Sequence, residues 1–181
     1  PGTWVGIEKV LEPGEALPAW SGAGTTGYDA MQQLTGLFVD PAGEAALTSL
    51  WNGPGYESVV EQSNRHVLAE VLAAEGERLL DLAVPILDRP RDELRDALVE
   101  LLVAFAVYRA YVPAEGPADE AARHHVDAAI TQARRARPDR GETIALLGGL
   151  ALAERGCPEF VTRFQQTCGP VMAKGVEDTT F

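Results

Sequence analysis

The sequence predicts a mainly α fold with a few short strands, and three observations carry that reading. From Tyr56 onward, for about a hundred residues, apolar side chains recur at helical spacing. One short segment near the start, GTWVGIEKVL (residues 2–11), is β-branched and aromatic and reads as a strand. Between them, to about Gly55, glycine and proline alternate with short apolar runs, which is the texture of loops.

In the predicted strand, Trp4, Gly6, Glu8 and Val10 share one face and Val5, Ile7, Lys9 and Leu11 the other. Glu8 therefore stands mid-strand among apolar neighbours. A carboxyl so placed is expected to be partly desolvated and to hold its proton more tightly, as a general acid requires; a strand-end glutamate paired with a neighbouring cation is the competing reading. Glu12-Pro13-Gly14 turns the chain into loops, with short helices expected near Asp29–Leu34 and Glu44–Trp51. GTTGYD, Gly24 to Asp29, is too rich in glycine and hydroxyl for a core segment and fits a loop approaching a ligand, or any tight turn.

The first long helix is expected from Tyr56, with Val60, Val67, Leu68, Val71, Leu72 and Leu79 on its apolar face, until Pro85 kinks or ends it. A second opens at Arg91-Asp92-Glu93, with acids at its positive end, and buries Leu94, Leu98, Leu101, Leu102 and Phe105. Its continuation FAVYRAYV alternates well enough to be a strand instead. After the linker Pro113–Pro117 a third helix runs from Asp119 to Arg137, and a fourth from Glu142 to Glu154, weakened by Gly148-Gly149. A fifth spans Pro158 to about Thr167. Gly169-Pro170 is expected to stop it, leaving Val171–Gly175 as a short strand or extended turn.

With 181 residues, 46% hydrophobic and 23% charged, the chain is long enough for a packed core without disulfides or metal. No apolar run approaches the ~20 residues of a membrane helix and no signal segment opens the chain, so it reads as a soluble piece with no membrane partner. A net charge of −12 argues against nucleic acid, which needs a basic face. The one basic cluster, Arg134, Arg135 and Arg137, ends a helix in a stretch neutral overall. Lys9 and Lys174 are the only lysines among the fifteen cations, and Lys9 is the sole base of the first 60 residues. Cys157 and Cys168, 11 apart, would lie ~16 Å from each other on a helix, too far for a disulfide; unpaired cysteines fit a reducing cytoplasm.

The P-loop, G-x-S-x-G, H-E-x-x-H and C-x-x-C motifs are absent. His124, His125 and Asp127 do not converge on a metal, since neighbouring helical residues point about 100° apart, and His66 has no partner in sequence reach; no metal or cofactor is implied.

VGIEKVLEPGEALP, AGTTGYDAM, GLFVDPAGEAALT, VYRAYV and RFQQTCGPVMAKGVEDTTF, in this order, resemble the middle third of the maltooligosyltrehalose synthases, a family of the α-amylase clan (glycoside hydrolase family 13). The resemblance implies a parent enzyme built on a (β/α)₈ barrel. That enzyme would convert the reducing-end α-1,4 bond of a maltooligosaccharide into an α,α-1,1 bond, with no cofactor. Residues 1–55 would hold barrel strand five and its loops, 56–155 a helical insertion, and 156–181 the approach to strand seven, as one compact unit without independent domains.

Within IEKVL, Glu8 matches the family's general acid/base. Tyr28, Asp29, Tyr108, Arg109 and Lys174 are candidates for holding the released glucose, with Glu177 and Asp178 orienting Lys174 or capping a turn. The nucleophile and the stabilising aspartate belong to motifs before residue 1 and after residue 181, so the isolated chain is expected to be inactive and to need the remainder of the barrel as partner. Cys168 stands where relatives carry a small hydroxyl residue and Ala106 where proline is common. A sibling hydrolase, a 4-α-glucanotransferase of the clan, and a non-catalytic helical module are the alternatives.

Overall fold

The computed structural model describes residues 3–180, with side chains through Glu177. Pro1, Gly2, Phe181 and the Asp178 side chain lie outside the described residues. The chain divides into two compact units, Pro1–Pro54 and Gly55–Phe181, where a single unit was expected.

The first unit has little regular structure. The predicted ten-residue strand contracts to β1 (Gly6–Ile7), which pairs in parallel with β2 (Gly24–Thr25) in the register Gly6↔Gly24 and Ile7↔Thr25. Two short helices follow, α1 (Tyr28–Gly36) and α2 (Glu44–Leu50), close to the expected positions. None of the apolar side chains described in this unit is fully buried; Trp4, Leu37, Phe38, Leu50 and Trp51 are all exposed. A two-residue ladder leaves most of the segment without strand partners, which is why period-2 patterning there does not become a sheet.

The second unit is helical and carries the core. The long helix expected from Tyr56 is three pieces: α3 (Tyr56–His66), a π-helical turn over Val67–Val71, and α4 (Ala73–Leu87). Leu72 N–H donates to Val67 C=O at 2.8 Å, one residue further than an α-helix allows. The wider turn shifts the helical phase, so Val71, counted on the apolar face by periodicity, is 60% exposed. Pro85 does not end α4, which runs two residues on until Asp88 adopts left-handed backbone at φ 45°.

Helix α5 (Arg91–Val103) lies at the centre, with Leu94, Leu98 and Leu101 buried. It packs against α4, α6 (Glu120–Ala136), α7 (Gly141–Ala151) and α8 (Pro158–Thr180). The Asp119 carboxylate caps α6 by accepting from Ala122 N–H. Gly148 and Gly149 are both buried in α7, whose neighbours include α6.

Helix α8 (Pro158–Thr180) overturns the expected stop at Gly169-Pro170 and the strand at Val171–Gly175. An internal proline costs ~3 kcal/mol in lost hydrogen bonding and ring clash. Here Phe160, Phe164, Cys168 and Val171 are buried on one side of α8, which packs along α3, α4 and α7, and that burial outweighs the proline.

FAVYRAYV is neither helix nor strand. Helix α5 stops at Val103, and Phe105, Val107, Ala110 and Val112 are buried along an irregular path, with left-handed backbone at Tyr111 (φ 60°). At its end the Val112 backbone is satisfied by a side chain: buried Gln165 of α8 accepts from Val112 N–H at 2.9 Å and donates to Val112 C=O at 2.8 Å. Phe105 also meets Phe164 edge to face, ring centroids 5.5 Å apart.

Candidate functional site

The candidates fall in both units. In the first, Glu8 directly follows β1 and is exposed, not shielded by Trp4, Gly6 and Val10 as the strand reading expected. With the ladder only two residues long, no neighbouring strand covers it. The buried residue here is the next one, Lys9, 5% exposed, whose ammonium pairs with the Glu15 carboxylate at 2.5 Å.

Glu15 is placed by a turn that Glu12-Pro13-Gly14 dictates. Pro13 fits the second position, and Gly14 at φ 83° supplies the left-handed third position that a side chain would disfavour. Glu15 N–H donates to Glu12 C=O at 2.9 Å, and the Glu15 carboxylate accepts in return from Glu12 N–H at 3.1 Å. Burial and the neighbouring Glu15 charge raise Glu12 above the usual carboxylate range, partly offset by Lys9. Glu12, Glu15, Asp29, Gln32 and Gln33 line a polar concavity of about 290 Å³ with Leu11, Pro13 and Gly14.

The GTTGYD loop is tied to the same place. Thr26 Oγ1 donates to Lys9 C=O at 3.3 Å, and Gly27 N–H donates to Thr25 Oγ1 at 3.2 Å. Gly27 at φ 81° opens α1, whose first turn holds Tyr28, 52% exposed, and Asp29, a carboxylate suited to the positive helix end. The first unit thus brings Glu8, Tyr28 and Asp29 onto segments that are hydrogen-bonded to one another.

In the second unit, Tyr108 is half-buried and Arg109 is exposed, with its guanidinium 5.4 Å from the Tyr111 ring centroid. The Tyr108 carbonyl faces Gly169 of α8. Lys174 is exposed on α8 and pairs with Glu177 one turn on at 2.6 Å. Beside it, Gly175 is buried against α3, where Asn64 Oδ1 occupies the place a β-carbon would take. That amide oxygen is buried with no hydrogen-bond partner among the described residues.

An apolar cavity of about 270 Å³ between α3, α4 and α5, with Arg65 at its edge, holds none of the candidates. Arg65 is engaged there by buried Glu100 through two bonds of 2.7 and 2.8 Å.

Sequence reading missed Glu15, Thr26 and Gln165. The Pro-Gly turn that aims Glu15 back at Lys9 was a usable signal; nothing local announces that Gln165 serves a backbone 53 residues away.

No protein-family model matches the chain. Two curated relatives from strains of Mycobacterium tuberculosis, provisionally named maltooligosyl trehalose synthase, are 30% identical over 187 residues, covering 100% of this chain and 23% of their own length. The solved structure of maltooligosyltrehalose synthase from Arthrobacter ramosus is 38% identical with a TM-score of 0.80, covering 97% of this chain and 22% of that one. A solved mutant of that same enzyme is 37% identical at the same TM-score. The chain therefore spans under a quarter of the length of the relatives it matches, less than the third expected.

Proposed function

From the likeness to maltooligosyltrehalose synthases along its whole length, we propose that the chain belongs to that family and acts as one segment of an intramolecular transglucosylase, supplying the acid/base carboxylate and part of the subsite that holds the freed glucose. The substrate is a maltooligosaccharide, the wider clan glycoside hydrolase family 13, and the setting cytoplasmic. The rest of the barrel contributes the nucleophile.

The chemistry is a retaining double displacement, with nucleophile and acid/base ~5–5.5 Å apart. As acid, Glu8 protonates the oxygen of the reducing-end glucose as the bond to it breaks. As base, it takes the proton of that glucose's anomeric hydroxyl as the oxygen attacks the glycosyl-enzyme, and the α,α-1,1 bond forms. Water must be kept out and the glucose retained, otherwise the outcome is hydrolysis. Tyr28, Asp29, Tyr108, Arg109 and Lys174 offer the aromatic faces and hydroxyl-binding groups for that task.

The observation that best supports the reading is the position of Glu8, held between a strand pair and a buried ion pair while its own carboxylate remains open to solvent. In the whole enzyme, Glu8→Gln is expected to abolish turnover of maltopentaose with substrate binding retained; normal turnover would reject the role. The isolated chain is expected to make no trehalosyl product.

A further inference from the structure

We propose that Glu15 is a positioning residue for Glu8, acting through Lys9 and assisted by Thr26. The proposal rests on the reading of Glu8 as the acid/base and adds the device that aims it.

The first unit buries no large apolar side chain completely among its described residues, yet Lys9 is buried and its partner Glu15 nearly so, their side chains 3% and 6% exposed. Withdrawing an ammonium and a carboxylate from water is unfavourable, and an apolar pair of similar size commonly serves stability as well or better. What an ion pair adds is a defined geometry. Lys9 is the very next residue after Glu8, so anchoring the Lys9 side chain and carbonyl restricts the backbone from which the Glu8 side chain leaves.

Glu15 is suited to be the fixed end. One carboxylate oxygen takes Lys9 and the other takes Glu12 N–H, while its own N–H closes the turn onto Glu12 C=O. Thr26 Oγ1 holds the Lys9 carbonyl. On the other side of Glu8, Gly6 and Ile7 are in register with Gly24 and Thr25, and Ala23 N–H donates to Val5 C=O at 2.8 Å. The backbone is thus tied immediately before and immediately after Glu8, while the carboxylate itself stays open. Productive proton transfer demands placement within about 0.5 Å, which an untethered loop does not provide.

The test uses the whole enzyme, with kcat and KM on maltopentaose set beside fluoride release from α-maltotetraosyl fluoride in the presence of azide. Fluoride departs without a proton and azide attacks without a base, so the second reaction bypasses Glu8. Glu15→Gln is expected to lower kcat on maltopentaose by about tenfold or more with KM within about twofold, and to leave fluoride release within about twofold. Equal losses on both substrates would make Glu15 merely structural and overturn the proposal, as would an unchanged kcat.

If Glu15→Gln does not fold, Thr26→Val removes a tether without stranding a charge. It is expected to show the same selective loss, about threefold or more, with Thr26→Ser restoring most of the rate; no selective loss refutes the clamp. Glu8→Gln run in parallel separates the two claims. Inactivity of Glu8→Gln beside normal Glu15 and Thr26 variants sinks the clamp alone, whereas an active Glu8→Gln sinks the acid/base reading and the clamp with it.

Discussion

Replacing Gln165 by leucine tests how the irregular 105–112 segment is held. The Gln165 amide donates to Val112 C=O at 2.8 Å and to Val161 C=O at 3.2 Å, and its oxygen accepts from Val112 N–H at 2.9 Å. Gln165 and Val112 are both buried, so water does not take over these bonds. Leucine preserves the volume but strands one buried donor and one buried acceptor on Val112. Each orphaned group costs about 1–3 kcal/mol, and the added apolar contact returns a part, leaving a loss of about 3 kcal/mol.

For a chain of this length, that loss lowers Tm by roughly 6–12 °C. Urea unfolding followed by helical circular dichroism measures it, and amide hydrogen exchange at Val112 locates it. Thr167→Val is the control. Its hydroxyl donates to Arg163 C=O at 2.9 Å within the same helix, so its removal is expected to cost under about 1 kcal/mol. A Gln165→Leu protein within about 1 kcal/mol of wild type, or unchanged exchange at Val112, would refute the reasoning.

Two further predictions concern α8. Gly175→Ala is expected to destabilise by about 1–2 kcal/mol, because displacing the Asn64 amide outweighs the helix propensity gained; with Asn64→Ala the same change becomes favourable by about 1 kcal/mol, and a double-mutant cycle by urea unfolding checks the coupling. Burial raises the Cys168 thiol far above its ordinary range, so it stays protonated in the folded protein at pH 8–9. Iodoacetamide is expected to modify half-buried Cys157 first, with Cys168 reacting only as the protein unfolds; peptide mass mapping across a urea series checks the order.

Helices α5 and α6 were legible because each buries one face, and burial writes a period into the sequence. Leu94, Leu98 and Leu101 line the core side of α5, and Ala122, Val126, Ala129 and Ala133 that of α6. Where burial is absent or two-sided, the period fails. Residues 2–11 alternate as a strand should, but β2 offers only two partner residues. Val171–Gly175 follows a glycine and a proline that locally forbid a helix, and contacts along α3 and α4 hold it helical nonetheless. Among the site residues, Glu8 and Lys174 stood out by type and motif. The exposure of Glu8 did not, since it depends on what fails to cover it.

What the sequence determined by itself was the mainly helical character of the chain, the turn at Glu12–Glu15, and the presence of a carboxylate and two rare lysines in distinctive motifs. All are local: periodicity, backbone preference and residue type act within a few positions of one another. Tertiary structure alone decided that Lys9 is buried against Glu15 while Glu8 faces solvent, that Gln165 serves the backbone of Val112, and that α8 passes through Pro170. The fates of Val112 and α8 turn on residues distant in the sequence, and that of Glu8 on what leaves it uncovered. In each case solvation outweighs local preference, because the alternatives leave buried polar groups unpaired or apolar surface in water.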